Sequence, residues 1–148
     1  MKDKFNPESL KSLVADFKDF PQPGVVFRDI SPLLANPAAF TAATQAMALN
    51  FQESSITRVA GIESRGFLFG PAVASILGVG FSPIRKAGKL PGDTMAESYG
   101  LEYGRDTLEI QANAITTKDR VLLADDVLAT GGTLAAAARL VTSTGAVL

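Results

Sequence analysis

One segment constrains the fold of this chain more than any other, the sequence VLLADDVLATGGT at residues 121–133. Its apolar run has the length of a buried strand and ends in Asp125 and Asp126. Because successive side chains of a strand point to opposite faces, these adjacent acids predict that the strand ends there and the chain turns. The small residues at 130–133 then open a helix, where backbone N–H groups and hydroxyls can converge on an anion. The segment therefore predicts a strand, an anion-binding loop and a helix in a parallel α/β sheet.

The remainder of the chain alternates between helix and strand signals. Asn6-Pro7 and Asn36-Pro37 each offer an N-cap followed by proline at the first helical position. The first helix is predicted to carry apolar residues on one face as far as Phe17, and residues 20–32 are predicted to form a shaped loop. Further strands are predicted at 58–62, from beyond 78 through 84, at 107–111 and at 119–125, and further helices near 71–77 and from 130 to a stop at 145. We therefore predict a three-layer α/β domain in which helices flank a mostly parallel sheet.

Composition narrows the chemistry that this domain can perform. The 148 residues suit one domain, and a net charge of −1 gives no global attraction to nucleic acid or an anionic membrane. The chain has no cysteine and no histidine, which excludes a thiolate nucleophile, a cysteine-bound metal, a Ser-His-Asp triad and imidazole acid–base catalysis. Proton transfer would fall to carboxylates, lysine or tyrosine. The first ten residues carry no apolar signal segment, so we predict a cytoplasmic enzyme or binding protein.

A charge-free stretch at residues 66–84 tests the prediction that the protein has no membrane segment. It nearly reaches the length of a membrane span, but Pro71, Pro83 and four glycines divide it into a short helix and a strand. We therefore interpret it as buried core.

The acids and the small-residue loop at 125–133 suit one kind of ligand. Carboxylates accept hydrogen bonds from a diol, and a loop at a helix N-terminus donates to a phosphate, so the pair fits a ribose 5-phosphate beyond the carboxyl end of a strand. The alternative is an ordinary helix start with capping threonines and turn glycines. The Gly-x-Gly-x-x-Gly motif of dinucleotide sites is absent, because Pro83 stands where the third glycine would be.

These residues carry a resemblance to a known family. The 121–133 segment resembles the phosphoribosyl-pyrophosphate (PRPP) binding motif of the type I phosphoribosyltransferases. The segments at 20–34, 61–74 and 84–104 resemble the adenine-specific branch of that family, in the same order along the chain. The resemblance implies the type I fold, with residues 1–148 as a single domain and residues 1–34 as a base-binding hood. The family continues past position 148 with further sheet, so we expect a domain that lacks its C-terminal part.

The resemblance also implies a role for individual PRPP-binding residues. It places Asp125 and Asp126 on the ribose hydroxyls, and it makes the segment after β-strand 58–62 a pyrophosphate loop in which Arg65 contacts pyrophosphate and a cis peptide bond follows Glu63. The 5-phosphate would be wrapped by Ala129, Thr130, Gly131, Gly132 and Thr133. The remaining PRPP-binding candidates are Glu63, Ser64, Arg85, Lys86 and Lys89. Without the resemblance, Arg65 would be interpreted as a solvated loop cation. The alternative for the 85–89 cluster is a solvated basic turn, but its coincidence with a phosphate loop favours binding, above all by Arg85.

Catalysis and base selection are assigned by the resemblance to two other segments. The polar, glycine-flanked segment between 89 and 106 is too irregular for a helix and is predicted to be a mobile lid. Within it, Glu102 would lie near purine N7 and Tyr103 near the reacting sugar. The Val26 backbone would read adenine, Phe27 would stack on it and Arg28 would lie beside it, although Phe27 could also be a core residue.

The function implied is the reaction of adenine with PRPP to give AMP and pyrophosphate, in purine salvage. We expect Mg²⁺ bound mainly through PRPP without a dedicated set of protein ligands, and a homodimer whose only substrates are these small molecules. Two alternatives stay open: a transferase of the same fold that uses xanthine or orotate, and a non-catalytic PRPP-sensing regulator.

Overall fold

The computed structural model describes residues 6–100 and 104–148 of the chain. It contains two compact units, Met1–Met47 and Ala48–Leu148. Within the described residues, no helix is both long enough and apolar enough to cross a bilayer.

The N-terminal unit contains short elements. Helix α1 (Pro7–Lys11) begins where it was predicted, because the Asn6 side chain accepts from the Ser9 N–H at 2.9 Å and the Ser9 hydroxyl accepts from the Asn6 N–H at 2.8 Å. The prediction that this helix extends through Phe17 is wrong, since Ala15–Lys18 forms strand β1. Strand β1 pairs antiparallel with β2 (Val26–Asp29), and this pairing overrides the helical spacing.

The loop predicted at residues 20–32 is also partly wrong. Pro21, Pro23 and Gly24 lie in the connection between β1 and β2, where the Gly24 N–H donates to Asp19 at 2.8 Å, and the β-rich residues that follow form β2 itself. A short helix α2 (Ser31–Ala35) comes next. Helix α3 (Pro37–Leu49) starts after Asn36 as predicted, with the Asn36 side chain accepting from the Ala39 N–H at 3.1 Å.

The C-terminal unit is built on a five-stranded sheet. Its strands are β3 (Arg58–Ile62), β4 (Gly80–Lys86), β5 (Thr94–Gly100), β6 (Arg105–Gln111) and β7 (Val121–Ala124), in the order β5-β6-β4-β3-β7. Strands β4 and β7 pair in parallel with β3, and β6 and β5 extend the sheet in antiparallel pairing. The strands predicted at 58–62, 107–111 and 119–125 are confirmed. The segment predicted as an irregular lid is instead strand over 94–100 and 105–106, because it pairs across the β5–β6 ribbon.

Helices α4 (Gly66–Leu77) and α5 (Gly132–Ser143) cover opposite faces of this sheet. Ala60 and Ile62 of β3 belong to the buried cluster that includes Leu140 of α5. Gly61 between them faces α4, because a Cβ there would lie 2.9 Å from the Gly66 carbonyl oxygen. The predicted three-layer α/β class is therefore confirmed.

Candidate active site

A cleft of about 270 Å³ opens where the three parallel strands end. Carboxyl ends of parallel strands meet at one edge of a sheet, which is where ligands bind in α/β proteins. Three chain segments supply the walls: residues 63–65 after β3, Lys86 at the end of β4, and residues 125–134 after β7. The structure thus brings together most of the residues that the sequence suggested for PRPP, although they lie up to 70 positions apart in the chain (residues 63 and 133).

The loop after β7 leaves the N-terminus of α5 open to the cleft. Gly131 has a positive φ of 82°, a conformation that favours glycine, and it precedes the first helical residue, Gly132. Within the described part of the chain, no side chain caps this helix. Its first N–H groups therefore remain available to an anion, and Thr130 and Thr133 add hydroxyls to the same wall.

Glu63 binds the basic residues at the end of β4 and just after it. Its side chain is only 8% exposed and accepts hydrogen bonds from the Lys86 backbone N–H, from Arg85 Nη2 at 3.2 Å and from Lys89 Nζ at 3.1 Å. Burial alone would raise the pKa of Glu63, but these three donors together hold that pKa below its ordinary value. The peptide bond from Glu63 to Ser64 is cis, as the resemblance implied.

The two acids after β7 have different environments. Asp126, whose side chain is 7% exposed, forms an ion pair with Arg65 Nη2 at 2.5 Å, so the loop after β3 is joined to the loop after β7. Asp125 accepts from the Asp126 N–H at 2.9 Å. Burial raises the pKa of Asp125, and the neighbouring Asp126 charge also contributes to that increase.

Lys86 has partners that sequence reasoning missed. Its ammonium forms an ion pair with Asp106 on β6 and donates to the Tyr99 hydroxyl on β5 at 3.0 Å. The Thr133 hydroxyl of the phosphate-loop helix lies 3.4 Å from the same Tyr99 oxygen. Burial lowers the pKa of Lys86, but the bonds to Asp106 and Tyr99 outweigh burial and raise it above its ordinary value. The signal that could have found these residues is the antiparallel register that sets Tyr99 opposite Asp106.

The other predicted site residues belong to three further parts of the chain. Arg85 and Lys89 contact Glu63 and do not line the cleft themselves. Val26, Phe27 and Arg28 belong to β2 in the N-terminal unit. There Val26 is 46% exposed, the Phe27 ring packs edge-on against Phe20 with centroids 5.3 Å apart, and Arg28 pairs with Asp16. Glu102 and Tyr103 lie outside the described residues.

The acids of the cleft fit a magnesium ion held mainly by its ligand. In residues 6–100 and 104–148, no three acidic side chains are close enough to form a metal site by themselves. Glu63 and Asp126 already neutralise cations, which leaves few protein oxygens for a metal. Mg²⁺ is commonly bound by one or two carboxylates together with substrate phosphates and water. This cleft could supply a carboxylate, and a bound ligand would supply the phosphates.

Known proteins resemble the chain in both sequence and structure. Residues 29–147 match the model of the phosphoribosyl transferase domain family. The adenine phosphoribosyltransferase of Edwardsiella ictaluri is 52% identical over 141 residues, which cover 95% of this chain and 77% of that protein. That of Streptomyces galbus is 51% identical over 140 residues, with 95% and 77% coverage.

Two solved structures extend this comparison. The adenine phosphoribosyltransferase of Rhodothermus marinus superposes with a TM-score of 0.89 at 52% identity, over 94% of this chain and 79% of its own. The Saccharomyces cerevisiae enzyme, complexed with D-2,5-dideoxy-2,5-imino-altritol 1,6-bisphosphate and adenine, gives 0.91 at 45% identity, over 95% and 82%.

Proposed function

This chain belongs to the adenine phosphoribosyltransferases, and from that premise we propose how its cleft converts adenine and PRPP into AMP and pyrophosphate. One observation carries the proposal: the ends of three adjacent parallel strands combine an uncapped helix N-terminus, two acids and a set of organised cations in one cleft. Such a combination matches a ligand that has phosphate at both ends and hydroxyls between them.

The residues after β7 hold the ribose 5-phosphate end of PRPP. The N–H groups at the start of α5, among them that of Thr133, and the hydroxyl of Thr130 donate to the 5-phosphate, with Ala129 and Gly131 shaping the turn. Asp125 and Asp126 accept from the ribose hydroxyls. Support for this assignment comes from the buried side chain of Asp126 and the partly buried Asp125 beside the loop, where an ionised carboxylate is short of solvent donors.

The residues after β3 and β4 hold the pyrophosphate end. Arg65 donates to a pyrophosphate oxygen while its pairing with Asp126 keeps it oriented towards the cleft. Lys86 supplies a second positive charge from the lining of the cleft. Arg85 and Lys89, held by Glu63, raise the positive potential behind it. This positive charge stabilises the negative charge that develops on pyrophosphate as its bond to the ribose breaks.

The chemical step replaces one bond at C1 of the ribose by another. Adenine N9 forms a bond to C1, the bond from C1 to the pyrophosphate oxygen breaks, and its electron pair leaves with pyrophosphate. The adenine ring must lose a proton, and Glu102 near N7 is the proposed acceptor in a chain that contains no histidine. We propose, from the family resemblance, that Tyr103 acts near the sugar. Mg²⁺, when bound with PRPP, neutralises charge on the pyrophosphate.

Base recognition belongs to the N-terminal unit in this proposal. Residues 1–34 form the hood of a single transferase domain, in which the Val26 backbone reads adenine, Phe27 stacks on it and Arg28 lies beside it. The exposure of Val26 supports this role. A cytoplasmic location fits a chain without cysteine. From the family resemblance we also propose a homodimer, and light scattering would measure its mass.

AMP formation by the purified chain tests the proposal. Product should require adenine, PRPP and Mg²⁺ together, and chelation of Mg²⁺ should abolish it. Substitution Glu102→Ala should reduce kcat by about 100-fold or more, the usual contribution of an acid–base group, without weakening PRPP binding. PRPP binding with no AMP formed would indicate a sensor, and turnover with xanthine or orotate instead of adenine would contradict the base assignment.

A further inference from the structure

Four side chains form a connected group at the wall of the cleft, and we call them the Lys86 cluster: Lys86, Tyr99, Asp106 and Thr133. Tyr99 is 6% exposed and belongs to the buried core, so its hydroxyl has a fixed position. That hydroxyl lies 3.0 Å from Lys86 Nζ, 3.4 Å from an Asp106 carboxylate oxygen and 3.4 Å from the Thr133 hydroxyl. The cluster thus joins the end of β4 to the first turn of α5.

The partners of Lys86 determine what its ammonium can do. A lysine ammonium has three N–H donors. In the described part of the chain, one is directed to Asp106 and one to the Tyr99 hydroxyl, and the ammonium also lies 5.5 Å from the Tyr99 ring centroid. A ligand in the cleft can take the third donor. A long lysine side chain normally loses much rotamer freedom when it binds, and here that freedom is already restricted.

We propose that Asp106 and Tyr99 are positioning residues, which hold the Lys86 ammonium in place for pyrophosphate and couple it to the phosphate loop through Thr133. This inference rests on the proposed function, because it requires that Lys86 contacts pyrophosphate. Neither residue is among the described residues that line the cleft. Their contribution comes through Lys86 and through the tyrosine oxygen that Thr133 shares.

The sign of the effect of Asp106 separates this proposal from simple electrostatics. Asp106 places a negative charge beside an anion site, so neutralising it should strengthen pyrophosphate binding if only the local charge matters. If Asp106 positions Lys86, neutralising it should weaken binding, because the ammonium is then free to adopt other rotamers. The two explanations predict opposite changes in one dissociation constant.

The test measures binding of inorganic pyrophosphate and of PRPP by titration calorimetry, in the full chain, for Asp106→Asn, Tyr99→Phe, Lys86→Met and the double variant Lys86→Met/Asp106→Asn. We expect Asp106→Asn to weaken pyrophosphate binding roughly tenfold, and the double variant to bind no more weakly than Lys86→Met, since the two residues act as a unit. Tyr99→Phe keeps the ring in the core and removes only the hydroxyl, and it should weaken binding in the same direction. In steady-state assays the KM for PRPP should rise while the KM for adenine stays constant.

Glu97→Gln is the matched control. Glu97 lies on the same β-ribbon and forms an ion pair with Arg139 at 2.6 Å, so the variant loses an ion pair of similar type without touching the Lys86 cluster. It should leave pyrophosphate binding unchanged. Thermal unfolding of every variant then separates loss of positioning from loss of fold.

Two results would overturn the proposal. If Asp106→Asn and Tyr99→Phe bind pyrophosphate as tightly as the wild type or more tightly, while Lys86→Met binds weakly, positioning is refuted and the proposed function stands. If Lys86→Met itself binds pyrophosphate normally, the assignment of Lys86 in the proposed function is wrong and the positioning role is refuted with it.

Discussion

Substitution Gly66→Ala should destabilise the C-terminal unit and disturb the cleft, because a methyl group has no room at this position. Gly66 is buried at the start of α4, directly after the loop at residues 63–65, and a Cβ there would lie 2.6 Å from the carbonyl oxygen of Ala124 on β7. The neighbouring atom belongs to the backbone of a sheet strand, so it cannot turn away as a side chain would.

The size of the effect follows from this distance. Ordinary van der Waals contact begins at 3.4 Å, so α4 and β7 must separate by 3.4 − 2.6 = 0.8 Å. Overpacking a core position in this way costs about 2 kcal/mol, which should lower the Tm by roughly 4–8 °C in a chain of this size. Arg65 precedes the displaced residue, and a shift of nearly 1 Å in a catalytic group can reduce the rate by about 100-fold.

The assay is thermal unfolding together with the rate of AMP formation, and Gly100→Ala is the control. Among residues 6–100 and 104–148, a Cβ at Gly100 meets nothing within 4 Å. Both substitutions reduce the freedom of the unfolded chain by a similar amount, so the difference between the two Tm values isolates the steric term. A Gly66→Ala protein as stable as the Gly100→Ala protein would refute the argument.

Three further substitutions test the electrostatics of the cleft. The pKa of Asp125 is raised on folding, so its carboxyl destabilises the folded protein as the pH rises above the ordinary value of 3.8. Asp125→Asn should therefore increase the Tm at pH 7, with a gain that shrinks towards pH 4, and it should weaken PRPP binding. A gain in Tm that is independent of pH would contradict this. Folding lowers the pKa of Glu63, so its contribution to the free energy of unfolding is present above pH 4.5 and is lost as the pH falls through the lower pKa of the folded state. In chemical denaturation, Glu63→Gln should reduce the free energy of unfolding by on the order of 2 kcal/mol at pH 7 and by progressively less in acid. Arg65→Met removes the cation paired with the buried Asp126, and we expect a lower Tm at pH 7 that Asp126→Asn partly restores in the double variant; additive losses would argue against the pairing.

The sequence predicted the parallel part of the fold because burial leaves a local pattern there. Strand β3 is buried from Val59 to Ile62, and β7 is an equally apolar run that ends at its acids. The small residues after β7 indicate a phosphate loop without reference to distant parts of the chain. The acids and small residues at this strand end are consecutive in the sequence, so this half of the candidate site could be predicted.

The antiparallel elements could not be predicted in the same way. Strand β1 is largely exposed, with Phe17 54% accessible, so its residues show helical spacing as readily as alternation, and only pairing with β2 selects the strand. The Lys86 cluster depends on the register that sets Tyr99 opposite Asp106 and on the pairing of β6 with β4. Register is a relation between segments, and no single segment contains it.

The strand order β4-β3-β7 has a consequence for ligand size. Strands β4 and β7 are separated by two interstrand spacings, roughly 10 Å, and the proposed function places a phosphate-bearing group of PRPP at the end of each. The separation of these strands therefore matches the length of a ligand with one phosphate-bearing group on either side of a single sugar ring. Side chains along the cleft tune how tightly such a molecule is held, whereas its permitted length is fixed by hydrogen bonds between strands that never touch it.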